Sequence, residues 1–190
     1  MGVTLPTLPT PNVTNGDWGD EINDAINAIN DADQFKLKAS TDTRTTTTLI
    51  DDDDLQAMTL GVGTWLIEVG LLVSGPAAGD LKVAWAFSGT TSLATRAGVG
   101  PTINTTGVTS EAAAVTVGVN RSAAAGNTVG TITSGPGYGL DGTNWSWIVE
   151  KGVLVVTASG TFKIQTAQVA ASGTTTIQAG SYEHARKVAG

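Results

Sequence analysis

The spacing of apolar residues changes once along the chain, near residue 36, and the change separates two kinds of structure. Before it, Trp18, Ile22, Ala25, Ile29 and Ala32 recur at steps of four and three, with Ile26 beside them. That spacing predicts a helix from Asp17 to about Asp31 with one narrow apolar seam. Asp17 can accept from first-turn amides, and Asp20 and Glu21 suit the positive end of the helix dipole. A helix of this length is marginal alone in water, so the seam needs cover. Either its own domain or a parallel bundle of copies supplies it, which makes Trp18, Ile22, Ala25 and Ile29 candidate oligomerisation residues.

From Lys36 onward the period is two. Strands are predicted over Thr45 to Ile50, Leu55 to Leu60, Thr64 to Val73, Leu81 to Phe87, Leu93 to Ala97, Ala113 to Val119, Thr128 to Thr133, Trp147 to Thr157, Thr161 to Ala167 and Thr175 to Val188. Gly and Pro mark most of the gaps, as in Ser74-Gly75-Pro76 and Gly98-Val99-Gly100-Pro101. Many short strands between such turns indicate an all-β fold, a sandwich or jelly roll. Ahead of the helix, Leu5-Pro6, Leu8-Pro9 and Thr10-Pro11 predict an extended arm, since each Pro lacks a donor and biases its predecessor toward extended geometry. Leu5 and Leu8 are its candidate anchors. The expected organisation is an arm plus helix over residues 1–40 and a β head over residues 41–190.

Composition supports this picture. The 190 residues include 24 Gly and no Cys, with 41% hydrophobic and 14% charged residues, enough apolar material for a core. Without Cys there are no disulfides, thiolate metal sites or cysteine nucleophile. The start has no basic segment followed by an apolar run, so no secretory signal is expected and synthesis in a cytoplasm fits. Trp65 to Val73 is the most apolar stretch and falls short of the roughly 18 residues of a spanning helix. Of the formal charge of −7, all lies before Leu55, where eleven acids face three bases. With no Lys and Arg cluster, nucleic acid is not an expected partner.

Candidate chemistry is sparse. Gly137-Tyr138-Gly139-Leu140-Asp141-Gly142 matches the dinucleotide pattern of glycines, but a strand rather than a helix follows, so no cofactor is expected. His184 is the only histidine, which excludes a multi-histidine metal site; alternation places it with Tyr182 and Arg186 on one face, in a structural or interfacial role. Asp51-Asp52-Asp53-Asp54 reads as a solvated acidic turn, because it lacks the alternating Gly-containing loop of a calcium hand. No acid pair has glycosidase spacing, and the chain is not expected to be an enzyme. Tyr138 and Trp145, beside a Gly-rich loop, are candidate contacts to a partner or a host glycan, whereas Trp147 is expected in the core.

Three stretches carry a resemblance. Thr10-Pro11-Asn12-Val13-Thr14-Asn15-Gly16-Asp17-Trp18-Gly19-Asp20, followed by Ile22-Asn23 and Ile26-Asn27, resembles the start of minor tail and fibre proteins of tailed phages, particularly those of actinobacteria. Thr45 to Leu55, with Thr64 to Leu72 and Gly79 to Val83, and then Thr175 to Tyr182, look like the short jelly-roll domain of phage fibres and capsid decoration proteins. That fold is similar to the trimeric tumour-necrosis-factor-like heads. The resemblance implies a homotrimeric, non-enzymatic virion structural protein, assembled in bacterial cytoplasm and bound to a tail or major capsid protein through its N-terminal section. The alternatives are a capsid decoration protein and a host glycan-binding module. Residues 98–135 match the pattern least.

Overall fold

The structure, a computed structural model, describes residues 17–101, 115–117, 121–123, 137–140, 142 and 144–190. Leu5 and Leu8, and the strand expected over Thr128 to Thr133, lie outside the described residues. One helix, α1 (Asp17–Ala32), opens the fold. Strands follow as β1 (Asp33–Leu37), β2 (Asp42–Arg44), β3 (Ile50–Asp51), β4 (Met58–Leu60), β5 (Gly63–Ser74), β6 (Leu81–Phe87) and β7 (Thr90–Pro101). The remainder are β8 (Val115–Val117), β9 (Arg121–Ala123), β10 (Gly137–Tyr138), β11 (Ser146–Ala158), β12 (Gly160–Ala167), β13 (Thr175–Ile177) and β14 (Tyr182–Ala189).

These strands form an all-β sandwich of two antiparallel sheets. The larger runs β1-β14-β5-β11-β7-β8, and the smaller runs β10-β6-β12 with β3 and β4 both on β12. Pairs nest through the sequence: β1 with β14, β2 with β13, β3 and β4 with β12, β5 with β11, and β6 with β10. Nested pairing of an antiparallel ribbon folded over itself is the jelly-roll pattern. The departure is β7, a 12-residue strand that pairs with the far side of β11 and widens the larger sheet.

The helix ends one residue beyond its expected last position. Other elements differ more. Residues 45–49 are not strand, and pairing begins only at Ile50. The stretch read as one strand from Thr175 to Val188 is broken by a turn in which Gly180 has φ +92, a conformation other residues rarely adopt. β1 lies within the N-terminal segment, yet pairs with β14 from Asp33↔Arg186 to Leu37↔Tyr182.

The core lies between the sheets. Trp65, Val69, Leu71, Ile148 and Leu154 from the larger sheet meet Trp85, Phe162, Ile164 and Val83 from the smaller. Trp85 and Phe162 pack edge to face with centroids 5.5 Å apart. Gly152 interrupts the apolar run of β11 for a steric reason: a Cβ there would stand 2.0 Å from the Thr95 carbonyl oxygen and 2.8 Å from the Trp85 ring.

Charges are also built into this interior. The Glu150 carboxylate, fully buried, accepts from Arg96 Nε at 3.0 Å, Arg96 Nη2 at 2.5 Å, Trp85 Nε1 at 2.7 Å and the Tyr138 hydroxyl at 2.8 Å. The guanidinium also lies over the Trp85 ring, 5.2 Å from its centroid, and donates to the Val83 carbonyl. This satisfied network ties β7 and β11 to β6 and β10 across the sandwich.

The acidic run is not a solvated turn. Asp52 is fully buried, and its Oδ1 accepts from Lys38 Nζ at 2.8 Å and from the amides of Asp54 and Leu55. Asp51 binds Lys163 at 2.5 Å and Gln165 at 2.8 Å, and the Lys163 hydrogen bond holds its carboxyl below the usual range. Asp54 accepts from the Ser40 amide and hydroxyl, which lower it likewise. The like charges are tolerated because Asp51, Asp52 and Asp54 each take a donor from elsewhere in the chain while Asp53 is exposed, so the run fastens the β3–β4 connection to β12 and to the residues after β1.

Candidate interaction surface

The most unusual surface is the outer face of the larger sheet. Alternation sends every second residue of β1, β14, β5, β11 and β7 away from the core, and many of these are apolar. One row across the sheet is Leu37, Tyr182, Gly70, Val149 and Val99, in register through four ladders. A second row, Phe35, His184, Glu68, Lys151 and Ala97, carries charge at its centre. The third is Asp33, Arg186, Leu66, Val153 and Thr95. Strands apolar at both parities, as in Trp65-Leu66-Ile67 and Val153-Leu154-Val155, belong to sheets covered on both sides. Within one copy nothing described covers this face: Phe35 is 59% exposed and Trp147 46%.

The rings on it are ordered. Tyr182 stacks on Phe35 with centroids 5.7 Å apart and an interplanar angle of 24°, and lies 6.0 Å from Trp147 on its other side. This arrangement requires Gly70, since a Cβ there would sit 2.3 Å from Tyr182 Cε1, so the ring crosses β5 in the space of the missing side chain. The Tyr182 hydroxyl donates to Glu68 Oε1 at 2.6 Å, while Lys151 pairs with Glu68 Oε2 at 2.7 Å. The bond to Glu68, followed by burial, pushes the Tyr182 hydroxyl up to about 12, and Lys151 first and Tyr182 second hold the Glu68 carboxyl below its ordinary range. His184 pairs with Asp33. A shallow hollow of about 380 Å³ lies among Leu66, Glu68, Lys151, His184 and Arg186. The arrangement has the character of an interface, with aromatic anchors and internally neutralised charges.

The helix adds to it. Ile22 is 54% exposed and Ile29 63%, with Ile26 also exposed, while Ala25 and Ala32 are half-buried. If Ile22 and Ile29 take heptad position a and Trp18 and Ala25 take d, then Asp17, Asp24 and Asp31 all fall at c, Asp20 at f and Ile26 at e. The acids at c and f then sit away from the seam, Glu21 at g borders it, and the apolar stripe is wider than two helices need.

Several other sites differ from the sequence reading. Tyr138 is no partner contact: it is 2% exposed, with its hydroxyl given to Glu150, and burial drives that hydroxyl far above its ordinary value. Trp145 is 64% exposed. Trp147, expected in the core, lies on the outer face because Glu150 takes an inward place in the charge network and sets the parity of β11. Phe35 gives no signal in the sequence, because its polar neighbours conceal β1. Among the described residues no group of three or more His, Asp or Glu side chains is placed to hold a metal ion, and no helix is long and apolar enough to cross a membrane.

No protein-family model matches the chain, and no curated protein matches it. Two similar solved structures are of infectious bursal disease virus. One is the structure of the Gx strain, at 11% identity and a TM-score of 0.18 over 83% of this chain and 41% of that one. The other is the VP2 subviral particle, at 10% identity and a TM-score of 0.13 over 83% and 42%. This chain therefore covers about two fifths of theirs, and overlaps of this depth carry no argument about function.

Proposed function

We propose that this protein is a structural component of a tailed-phage virion, a homotrimeric minor tail or short fibre protein attached through its N-terminal section with its β head outward. The observation that carries the reading is the uncovered aromatic face of the larger sheet, together with the exposed helical seam. Both place apolar side chains in water, Phe35, Trp147 and Val99 on the sheet and Ile22, Ile26 and Ile29 on the helix, a pattern that in clusters marks a contact surface. A closed ring of copies covers such surfaces without leaving an open end. The phage assignment rests on the resemblance of the Thr10 to Asn27 stretch and the head segments to tail and fibre proteins. The number three rests on that resemblance and on Ile26, which widens the seam.

In the role proposed, partners are other copies and a tail protein; a major capsid protein replaces the latter if the chain is a decoration protein. Rebinding of purified protein to tails or to empty heads separates these two. The glycan reading keeps one exposed ring, Trp145, and loses Tyr138 to the core.

Light scattering on the whole chain at micromolar concentration tests self-association. The expected mass is three times 19.2 kDa. Trp147→Asp and Ile22→Asp/Ile29→Asp are each expected to lower it, since each places a charge in an apolar contact without a partner. A wild-type protein that stays at the mass of one copy refutes the reading.

A further inference from the structure

Glu183 is fully buried, and neither of its carboxyl oxygens has a hydrogen-bond partner. Its position follows from the alternation that turns Tyr182, His184 and Arg186 outward, sending Glu183 and Ala185 into the core. Of the neighbouring buried acids, Glu150 has Arg96, Trp85 and Tyr138 on both oxygens, and Asp52 has Lys38 and two amides on Oδ1 while its Oδ2, without a hydrogen bond, faces the Arg44 guanidinium at 3.9 Å; among the described residues Glu183 has neither a hydrogen bond nor an ion pair on either oxygen.

The charged groups around Glu183 come from several elements. β1 contributes Lys36, directly opposite in the ladder, and the residue just after β1 is Lys38, whose ammonium is held by Asp52. The connection after β3 contributes Asp52. β5 offers the uncharged Val69, and beyond it in the same row β11 carries Glu150, already occupied. Lys36 attracts negative charge toward Glu183 and Asp52 repels it, but burial outweighs both and raises the carboxyl to about 8. The group is therefore neutral in the folded protein through the mildly acidic and neutral range. In the open chain it ionises near its ordinary value of 4.5. Because the folded value is the higher one, the seated state is fully favoured below 4.5 and loses ground as pH rises toward 8, with no further loss above that.

We propose that Glu183 is a proton-operated latch on the edge of the larger sheet: protonated, it lets β1 and the attached helix stay seated, and ionised, it drives that edge to open. The edge is the element that yields because β1 is five residues long, pairs in the sheet with β14 alone, is tied to the smaller sheet through Gln34 Nε2 on the Thr59 carbonyl at 2.6 Å, and sets Lys36 beside Glu183 in the ladder. Opening it admits water to Glu183 at the cost of one ladder and the Gln34 bond, whereas parting β14 from β5 breaks the middle of the sheet. The outcome is a head that releases its N-terminal section on moving from mildly acidic to mildly alkaline medium. This does not depend on what covers the outer face.

Amide hydrogen exchange on the full chain, compared with Glu183→Gln residue by residue between pH 5 and 9, tests the latch. Taking the ratio to the variant removes the intrinsic pH dependence of exchange. For amides of β1 and their β14 partners, the ratio of wild-type to variant rates is expected to rise at least tenfold between pH 5 and 8 and to level off above it. For β5 and β11 it is expected to stay near one. A flat ratio at β1 overturns the proposal, as does a rise of equal size in β5 and β11, which means whole-domain unfolding. Glu183→Met, which fills the site without a titrating group, is expected to match Glu183→Gln. Failure of both variants to fold at pH 5, where wild type folds, also overturns it. Light-scattering mass of the same samples reports separately on self-association.

Discussion

Replacing Arg96 by Met removes the cation at the centre of the buried network while keeping most of the side-chain volume. Glu150 then stays fully buried with two neutral donors, Trp85 and Tyr138, and loses both guanidinium bonds, at 3.0 and 2.5 Å. The Val83 carbonyl loses its bond from Nη2, and Trp85 loses the cation over its ring. Breaking a buried ion pair from one side costs about 3–5 kcal/mol, because the remaining charge is uncompensated. Against a typical total stability of about 5–15 kcal/mol, that is a large fraction. Glu150→Gln on top of Arg96→Met removes the stranded charge, keeps one oxygen to accept from Trp85 Nε1, and turns an amide NH2 to donate to the Tyr138 hydroxyl oxygen. The double variant is therefore expected to recover about 2 kcal/mol. Urea unfolding at one protein concentration, followed by tryptophan fluorescence, measures all the variants, including Glu150→Gln alone. The argument is refuted if Arg96→Met costs less than about 1 kcal/mol, or if the double variant is as unstable as the sum of the two single ones.

Two further outcomes are expected. Gly70→Ala puts a methyl where the Tyr182 ring crosses β5, so the ring must swing outward and give up the Glu68 bond; the melting temperature is expected to fall by only a few degrees while light-scattering mass drops, and an unchanged mass counts against Tyr182 as an interface anchor. Calcium at millimolar concentration is expected to leave the melting temperature unchanged, since Asp51, Asp52 and Asp54 are held by Lys163, Lys38 and Ser40; a rise of several degrees would show that these contacts yield to a cation.

What the chain's pattern discloses is its local geometry. Asp17 to Asp31 was legible because capping, dipole and seam agree, and the strands from Thr64 to Phe87 because apolar runs end at Gly and Pro. β1 was not, since its apolar residues Phe35 and Leu37 face outward between Asp33, Gln34 and Lys36 and leave no inward stripe. The acidic run misleads because repulsion is visible between neighbours in sequence, whereas the Lys163 that compensates Asp51 is 112 residues away. Trp147 was misplaced for a related reason: alternation gives two phases, and a large ring is a poor guide to the inward one when a carboxylate has a guanidinium waiting inside. A usable signal for the outer face was present in β5 and β11, where both phases are apolar.

The junction between Ala32 and Asp33 has a mechanical consequence. The last helical residue is followed at once by the first residue of an edge strand, with no intervening loop to act as a swivel. In the role proposed, torque applied to the helix is delivered straight into the β1 ladder, and the tilt of the head follows from how its helix is held. Mounted by that helix, the head behaves as a bracket fixed at a set angle rather than as a weight on a tether.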